Sequence, residues 1–330
     1  MSNVLRRVAN RVGRLSVALP GGMTVAKRLR RRSLPILMYH GVVERPLPFF
    51  NWCQVPREDF EQQIAFLSQE YRILPLQDVL ERLSQGSPLP ERTACITFDD
   101  GFRSVLSAAY PVLAKYSAAA TTFLVTSLVG GNEPPWPEQL YRGIAGSQRG
   151  SLDFHGQSFI LQSGEEKAAA FQRLFAALMA LPTERREVAV AEILKDLGPP
   201  ADDYAEALAM LNWKEVETLH AAGLMSFGSH THRHPILSKC SPERQHFELF
   251  TSRQIMIEHF GKADVFAYPN GTLADFTRYT KQLLAKLGYR WALSTIRGLN
   301  TSRTDSYELR RVGVGAAMTF PEFQTAMMGF

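Results

Sequence analysis

Short apolar runs alternate with amphipathic helical stretches along most of this 330-residue chain, and this alternation constrains its fold more than any other feature. Strand–helix alternation favours an α/β fold built on a mainly parallel sheet. We expect residues 34–129 and 212–318 to form one α/β barrel. Its predicted strands are Pro35–Tyr39, Thr93–Phe98, Ala119–Val125, Met225–Gly228, Val265–Ala267, Arg290–Ser294 and Leu309–Val314.

One long segment, residues 130–211, interrupts the alternation. It opens with a Pro-rich turn and then becomes Ala-rich, with helical patterns at Glu165–Leu181 and Arg185–Leu197. We interpret it as a helical insertion into the barrel, and residues 319–330 as a C-terminal tail.

The positive charge of the chain is concentrated at its N-terminus. The sequence has 37 Lys and Arg residues against 32 Asp and Glu residues, a formal net charge of +5. Residues 1–33 form a basic arm that holds nine of these basic residues and no acid, so the rest of the chain is net acidic. An acidic body argues against a nucleic-acid-binding face.

The first residues of this arm have an amphipathic pattern. On a helical wheel, residues 4–19 place Val and Leu on one side and Arg on the other, as in a helix that lies on an anionic membrane surface. A frayed basic tail is the alternative. No apolar run is long enough to span a bilayer or has the form of a signal peptide. The sequence therefore predicts a cytoplasmic protein, at the inner face of the membrane if the helix forms.

Two adjacent carboxylates stand at the end of one predicted strand. Asp99 and Asp100 follow Thr93–Phe98 and precede Gly101, which permits a sharp turn. In parallel α/β folds, catalytic groups gather at the carboxyl ends of the strands. Neighbouring carboxylates repel each other unless a cation or a shared proton offsets the charge. An acidic loop with one Asp as a helix N-cap is the alternative interpretation.

A cluster of histidines stands at the end of another strand. His230 and His234 are four residues apart, so one turn of chain can direct both imidazoles at one metal ion, and Pro235 favours a loop over a full helix. One carboxylate and two imidazoles make a three-ligand set with an open position, which is typical of catalytic zinc. A second carboxylate beside the metal can act as a general base. These residues predict metal-assisted hydrolysis of an amide or ester.

Two further strand ends carry candidate residues. Tyr268, Pro269 and Asn270 follow Val265–Ala267, where a Pro-Asn-Gly turn either presents backbone N–H groups to an oxyanion or is an ordinary turn. His40 ends the first strand, where a lone histidine is more often structural than catalytic. The three cysteines form no CxxC pair, so neither a disulfide framework nor a Cys-rich zinc site is indicated.

Taken in order, these motifs resemble those of the polysaccharide deacetylases of the NodB-homology type, carbohydrate esterase family 4. Thr97–Gly101 reads TFDDG and matches the first family motif, His230–His234 matches the second, H-[ST]-x-x-H, and Phe266–Gly271 resembles the third. The resemblance covers residues 34–129 and 212–315. It implies a distorted (β/α) barrel that removes acetyl groups from N-acetylated amino sugars with a divalent metal, usually Zn²⁺.

The same resemblance implies individual roles. Asp99 corresponds to the general base, and Asp100, His230 and His234 correspond to the metal ligands. His232 falls on a variable position of the second motif.

The chain also departs from the family pattern. Ala267 stands where the third motif commonly has an Arg that orients the base, and no histidine after His259 supplies the usual late acid. Circularly permuted biofilm-polysaccharide deacetylases instead begin with a Tyr-His at the end of the first strand, and Leu37–Val42 is similar to that start. The resemblance therefore makes His40 the candidate general acid. Arg311, on the last strand, is the candidate replacement for the missing cation.

The expected substrate is an N-acetylated amino sugar in a glycan, a glycan precursor or a lipid-linked saccharide. The alternatives are an exported exopolysaccharide or peptidoglycan deacetylase, and a non-catalytic carbohydrate-binding protein of the same fold. Trp136 is either a sugar-stacking residue beside the active site or part of the packing of its loop.

The membrane address predicted for residues 4–19 is testable by fractionation. We expect the 330-residue chain to sediment with membranes and a variant without residues 1–32 to remain in the supernatant, because the deletion removes the apolar stripe and nine positive charges. Immunoblots of the two fractions measure the partition. Equal partition of the two chains would contradict the membrane helix.

Overall fold

The computed structural model describes residues 33–131, 133–200 and 205–329. The amphipathic helix predicted for residues 4–19 therefore lies outside the described residues. Over the ranges that are described, no helix combines the length and the apolar character needed to cross a bilayer.

A closed barrel of parallel strands forms the centre of the fold. In chain order the strands are β1 Ile36–Tyr39, β2 Gly41–Val43, β3 Gln54–Pro56, β4 Arg72–Ile73, β5 Thr93–Phe98, β6 Ala120–Leu124, β7 Ser151–Phe154, β8 Gln157–Ile160, β9 Met225–Ser229, β10 Val265–Ala267, β11 Trp291–Arg297 and β12 Leu309–Gly313. Around the barrel the order is β1, β12, β11, β10, β9, β6 and β5, and β5 pairs with β1 to close the ring. This seven-stranded parallel barrel confirms the predicted fold class.

Helices connect and surround these strands. The α-helices are α1 Arg57–Glu70, α2 Leu76–Ser84, α3 Tyr110–Lys115, α4 Trp136–Gly146, α5 Gly164–Ala180, α6 Thr183–Leu197, α7 Trp213–Ala221, α8 Pro242–Phe260, α9 Arg278–Leu287 and α10 Phe320–Met327. A π-helix at Val105–Ala109 precedes α3, and a 3₁₀ turn at Leu237–Lys239 precedes α8. Pro111 in the first turn of α3 has no N–H to give to the preceding turn, which explains the irregular helix before it.

The barrel strands are largely apolar because they are covered on both faces. Every residue of β1, β5 and β6 is buried, as expected for parallel strands with side chains inside the ring and helices outside it. The register between β11 and β12 shifts between Leu293 and Arg297. Beyond this irregularity Arg297 pairs with Arg311, whose side chain is fully buried.

The insertion, residues 130–211, has a small apolar core of its own. Its members come from α4, α5, α6 and the β7–β8 hairpin: Leu140, Ile144, Leu152, Phe159, Leu161, Ala170, Leu174, Leu178, Ala189, Val190, Ile193 and Leu197. The hairpin corrects the prediction of a purely helical segment. His155 and Gly156 both adopt positive φ between its strands, which is the two-residue turn that antiparallel pairing needs.

The C-terminal residues are part of the packed fold, which corrects their interpretation as a tail. Thr319 and Glu322 form a capping box at the start of α10. Phe323 and Met327 on this helix belong to the main apolar cluster, and Phe323 meets Phe66 of α1 edge to face. These contacts fasten the end of the chain to the outside of the barrel.

Candidate metal centre

The two aspartates lie on the barrel rim, where β5 ends, and the backbone turns sharply between them. Asp99 still continues the sheet, since its N–H donates to the carbonyl of Tyr39 at the end of β1. Asp100 has φ of +71° and Gly101 has φ of +90°. A positive φ is costly for a residue with a Cβ, so the rim holds Asp100 in a strained conformation. Because of this turn, the carboxylates of Asp99 and Asp100 contact different residues.

Asp100 faces two histidines that follow β9. Donor atoms of Asp100, His230 and His234 lie within 4.8 Å of one another, and all three residues are buried. The Oδ1 atom of Asp100 lies 3.4 Å from Nε2 of His230 and 3.3 Å from Nε2 of His234. This buried oxygen has no hydrogen-bond partner. An orphaned carboxylate oxygen facing two imidazole nitrogens fits a divalent cation, and the donor set suits Zn²⁺.

Neighbouring groups fix the orientation of these histidines. Nδ1 of His230 lies 2.7 Å from the carbonyl oxygen of Ala267, which leaves Nε2 directed at Asp100. The backbone N–H of His234 donates to the Oγ1 atom of Thr231. Both Thr231 and His234 have positive φ, so the segment is a tight loop rather than a helix.

Glu248 of α8 hydrogen-bonds to the backbone of the same loop. Its buried carboxylate accepts the backbone N–H groups of His232 and Arg233 at 3.0 and 2.7 Å. The ring of His232 turns away from the metal ligands and lies 3.1 Å from Oγ1 of Thr126. The loop is therefore positioned by a carboxylate that the sequence motifs do not include.

Asp99 forms a buried, bidentate ion pair with Arg311. Both guanidinium-to-carboxylate distances are 2.7 Å, and Nε of Arg311 donates to the carbonyl of Ser294. Burial would raise the pKa of Asp99, but the charge of Arg311 and of neighbouring His230 outweighs burial and holds this pKa below its ordinary value. The cation beside Asp99 thus comes from β12, whereas β10 has Ala267 at the usual place.

His40 lies on the same rim, at the end of β1. Its Nδ1 atom is buried without a hydrogen-bond partner, and its ring meets that of Trp52 edge to face at 5.5 Å. Burial lowers the pKa of His40, while the nearby charges of Asp100 and Asp99 act in the opposite direction. His40 is therefore within electrostatic reach of both carboxylates, and its role as general acid stays a prediction.

The turn after β10 is a candidate source of oxyanion-binding groups, but several of its polar groups already have partners within the protein. The Tyr268 hydroxyl donates to the carbonyl of Tyr307 and its ring stacks on Phe276, so this side chain belongs to the core. The N–H of the following glycine donates to the carbonyl of Pro269. Asn270 has φ of +58°, and its carbonyl accepts the Thr295 hydroxyl. An oxyanion role for the backbone at Asn270 stays a prediction.

Trp136 begins α4 in the insertion. Its ring stacks on Phe175 at 5.3 Å, and the guanidinium of Arg186 lies 5.4 Å from its centroid. Trp136 also lines a cleft of about 260 Å³ that reaches His234. Trp136 thus shares a cleft with one candidate metal ligand, but its ring already has protein partners.

The structure brings one further carboxyl toward the centre that the sequence did not indicate. Glu138 of α4 is 4% exposed and hydrogen-bonds with the Cys53 thiol. Burial, and then the charge of Asp100, raises the pKa of Glu138 to about 8. In the sequence, Glu138 resembles an ordinary acidic residue in a first helical turn. Only the docking of the insertion shows that it is buried.

Comparison with known proteins identifies the family. The family described as polysaccharide deacetylase matches residues 86–292. The chain therefore belongs to the polysaccharide deacetylases, a family of amide hydrolases. This family membership confirms the resemblance of the TFDDG and H-[ST]-x-x-H motifs.

Two curated relatives match parts of the chain. It is 34% identical over 108 residues to the Bacillus subtilis (strain 168) protein YxkH, an alignment that covers 32% of this chain and 37% of YxkH. It is 38% identical over 77 residues to the poly-beta-1,6-N-acetyl-D-glucosamine N-deacetylase of Staphylococcus aureus (strain MSSA476), covering 23% and 26% of the two chains. The chain thus spans about a third and about a quarter of the lengths of these relatives.

Two solved structures share the fold over nearly their whole length. The Streptococcus pyogenes deacetylase PplD superposes with a TM-score of 0.60 at 22% identity, covering 89% of this chain and 98% of PplD. IcaB from Ammonifex degensii superposes with a TM-score of 0.58 at 20% identity, covering 90% and 98%. These similarities show that the chain shares the fold of these deacetylase structures.

The buried Asp99–Arg311 pair makes a stability prediction. We expect Arg311→Met to lower the free energy of unfolding by about 3–5 kcal/mol, because it leaves the Asp99 carboxylate buried without a partner. The double variant Asp99→Asn with Arg311→Met should recover part of this loss. Urea unfolding measures both.

The matched control is Arg278→Met on the exposed start of α9, which should change the free energy of unfolding by less than about 0.5 kcal/mol. An Arg311 variant as stable as this control would show that the pair does not hold the rim together.

Proposed function

We propose that this protein is a metal-dependent N-deacetylase that removes acetyl groups from N-acetylated amino sugars in a glycan, a glycan precursor or a lipid-linked saccharide. One observation carries the proposal: the buried donor group of Asp100, His230 and His234 lies beside the buried carboxylate of Asp99 on the rim of a polysaccharide deacetylase barrel. The first group can hold a metal, and the second can hold a proton.

Asp100, His230 and His234 would hold the metal, and a set of one oxygen and two nitrogen donors suits Zn²⁺. When bound, such a metal lowers the pKa of a water molecule and polarises the acetamido carbonyl. The contact between His230 and Ala267 keeps one ligand oriented whether or not the metal is present.

Asp99 is the proposed general base. Arg311 keeps its carboxylate ionised and fixes both oxygen atoms, yet each oxygen retains a lone pair that can accept a proton. Asp99 would take a proton from the attacking water as the new C–O bond forms. Because Arg311 is itself anchored to Ser294, the base is positioned before the substrate arrives.

His40 is the proposed general acid. The amide C–N bond breaks only if the departing nitrogen receives a proton, and His40 offers a buried ring nitrogen with no protein partner on the same rim. Acetate and a free amino sugar result. The edge-on contact with Trp52 limits rotation of the imidazole.

Similarity to a poly-beta-1,6-N-acetyl-D-glucosamine N-deacetylase of Staphylococcus aureus supports an N-acetylglucosamine polymer as the substrate class. We propose action at the inner face of the membrane, on the basis of the charge pattern of residues 4–19. An exported exopolysaccharide or peptidoglycan deacetylase is the second candidate. A binding protein without catalysis is less well supported, because the aspartates and histidines of both motifs are present together.

Separate replacement of Asp99 and Asp100 tests their different proposed roles. Asp99→Asn should lower kcat for acetate release from N-acetylglucosamine oligomers by about 10²–10⁴-fold while zinc content is unchanged. Asp100→Asn should lose both zinc and activity. Acetate is measured by a coupled assay and zinc by elemental analysis.

The control is Asp153→Asn on the exposed hairpin strand β7, which should retain zinc and activity. Loss of zinc in Asp99→Asn with retention in Asp100→Asn would reverse the two roles. No acetate release by the zinc-loaded parent chain from any N-acetylated glycan, precursor or lipid-linked sugar would contradict the function itself.

A further inference from the structure

A cleft lies between the insertion and His234, one of the three candidate metal ligands. Trp136, Arg186 and Val190 line it from the insertion, and Arg233 and His234 line it from the loop after β9. Its volume is about 260 Å³. His234 belongs to both the cleft and the candidate metal centre. A group bound in the cleft would therefore lie next to one of the residues that would hold the metal.

Arg186 is the unusual residue of this cleft. Its side chain is 2% exposed, and its Nη1 atom is buried with no hydrogen-bond partner. The guanidinium lies over the ring of Trp136, 5.4 Å from the centroid. A contact with an aromatic face offsets part of the charge but leaves the N–H donors of Nη1 unsatisfied.

The acid that lines this cleft is already paired with another residue. Glu187 also lines the cleft, but its Oε1 atom accepts from Nη2 of Arg244 at 3.1 Å. Arg244 has Glu248 as well, and the other fully buried arginine, Arg311, has both oxygens of Asp99. Among the residues that the structure describes, no ion pair is formed by Arg186.

Burying a guanidinium without acceptors is costly, and proteins rarely keep such a group unless something pairs with it. The planar fork of an arginine is suited to a carboxylate or a phosphate, which accepts two parallel hydrogen bonds. Arg233 adds a second positive charge to the same cleft. The site therefore has the charge and the unsatisfied donors for an oxyanion.

We propose that this cleft is a subsite for an oxyanion on the saccharide substrate, bound by Arg186 while the acetamido group of a neighbouring sugar lies at the metal centre. The oxyanion is a carboxylate of an acidic sugar or a phosphate ester. The proposal rests on the proposed deacetylase function and narrows its substrate to an N-acetylglucosamine-containing saccharide that also carries a carboxylate or a phosphate ester.

Binding is tested separately from catalysis with inorganic phosphate. We expect phosphate to raise the Tm of the zinc-loaded chain and of Arg185→Met, an exposed neighbour on α6, but not of Arg186→Met. Without phosphate, Arg186→Met should be at least as stable as the parent chain, because it removes an unpaired buried charge. Arg186→Lys, which keeps the charge without the fork, should give an intermediate rise.

Two results would overturn the subsite. One is a Tm that phosphate raises in Arg186→Met as much as in the parent chain, or a parent Tm that phosphate does not raise. The other is a loss of stability in Arg186→Met without phosphate, because it would show that Arg186 serves the packing of the insertion.

Acetate release identifies the source of the oxyanion. Neutral N-acetylglucosamine oligomers are compared with oligomers that carry a uronic acid and with oligomers that carry a phosphate ester. We expect one anionic series to have a lower KM, and Arg186→Met to remove an advantage of about ten- to a hundredfold in kcat/KM for that series alone. Arg185→Met should keep it.

The outcomes separate the two proposals. Equal KM values for neutral and anionic oligomers would contradict the subsite and leave the deacetylase intact. No acetate from any oligomer, together with a phosphate response that depends on Arg186, would contradict the deacetylase and support the anion site.

Discussion

The pairing of β1 with β5 closes the barrel, and the chemistry on its rim depends on this closure. Tyr39 lies opposite Phe98 in that register, so the next residues along the two strands, His40 and Asp99, emerge side by side. β12 joins the other edge of β1, with Leu37 opposite the residue that follows Arg311. Residues from three distant parts of the sequence are thereby fixed within one site by backbone hydrogen bonds.

Two consecutive aspartates do different work because the backbone reverses between them. The strained conformation of Asp100 turns its carboxylate toward His230 and His234, while Asp99 remains in line with β5 and meets Arg311. The carboxylate of Asp99 is thus paired with Arg311, and that of Asp100 faces a position where a cation can bind. These positive charges offset the repulsion between the two carboxylates. The arrangement places a group that can hold a metal beside an ionised carboxylate in a buried setting.

The barrel, and the grouping of Asp100 with His230 and His234, were predictable because both depend on local patterns. Apolar strands ending in Asp99-Asp100 or in the His230–His234 loop are visible in the sequence, and parallel topology then brings them together. The sequence made Arg311 the candidate cation beside Asp99. It could not predict the bidentate geometry, since the ion pair joins residues 212 positions apart. The roles of Glu138 and Arg186 depend on how the insertion docks. Neither has a local signature, because each resembles a surface charge on an amphipathic helix.

X-ray absorption at the zinc edge tests the metal centre most directly. For the zinc-loaded chain, the account predicts a first shell of nitrogen and oxygen only, with two imidazoles at about 2.0–2.1 Å. Replacement of His230 by alanine should remove one imidazole contribution and weaken zinc binding. A sulfur at about 2.3 Å, which would indicate Cys53, or a spectrum unchanged by loss of His230 would contradict the assignment of the centre.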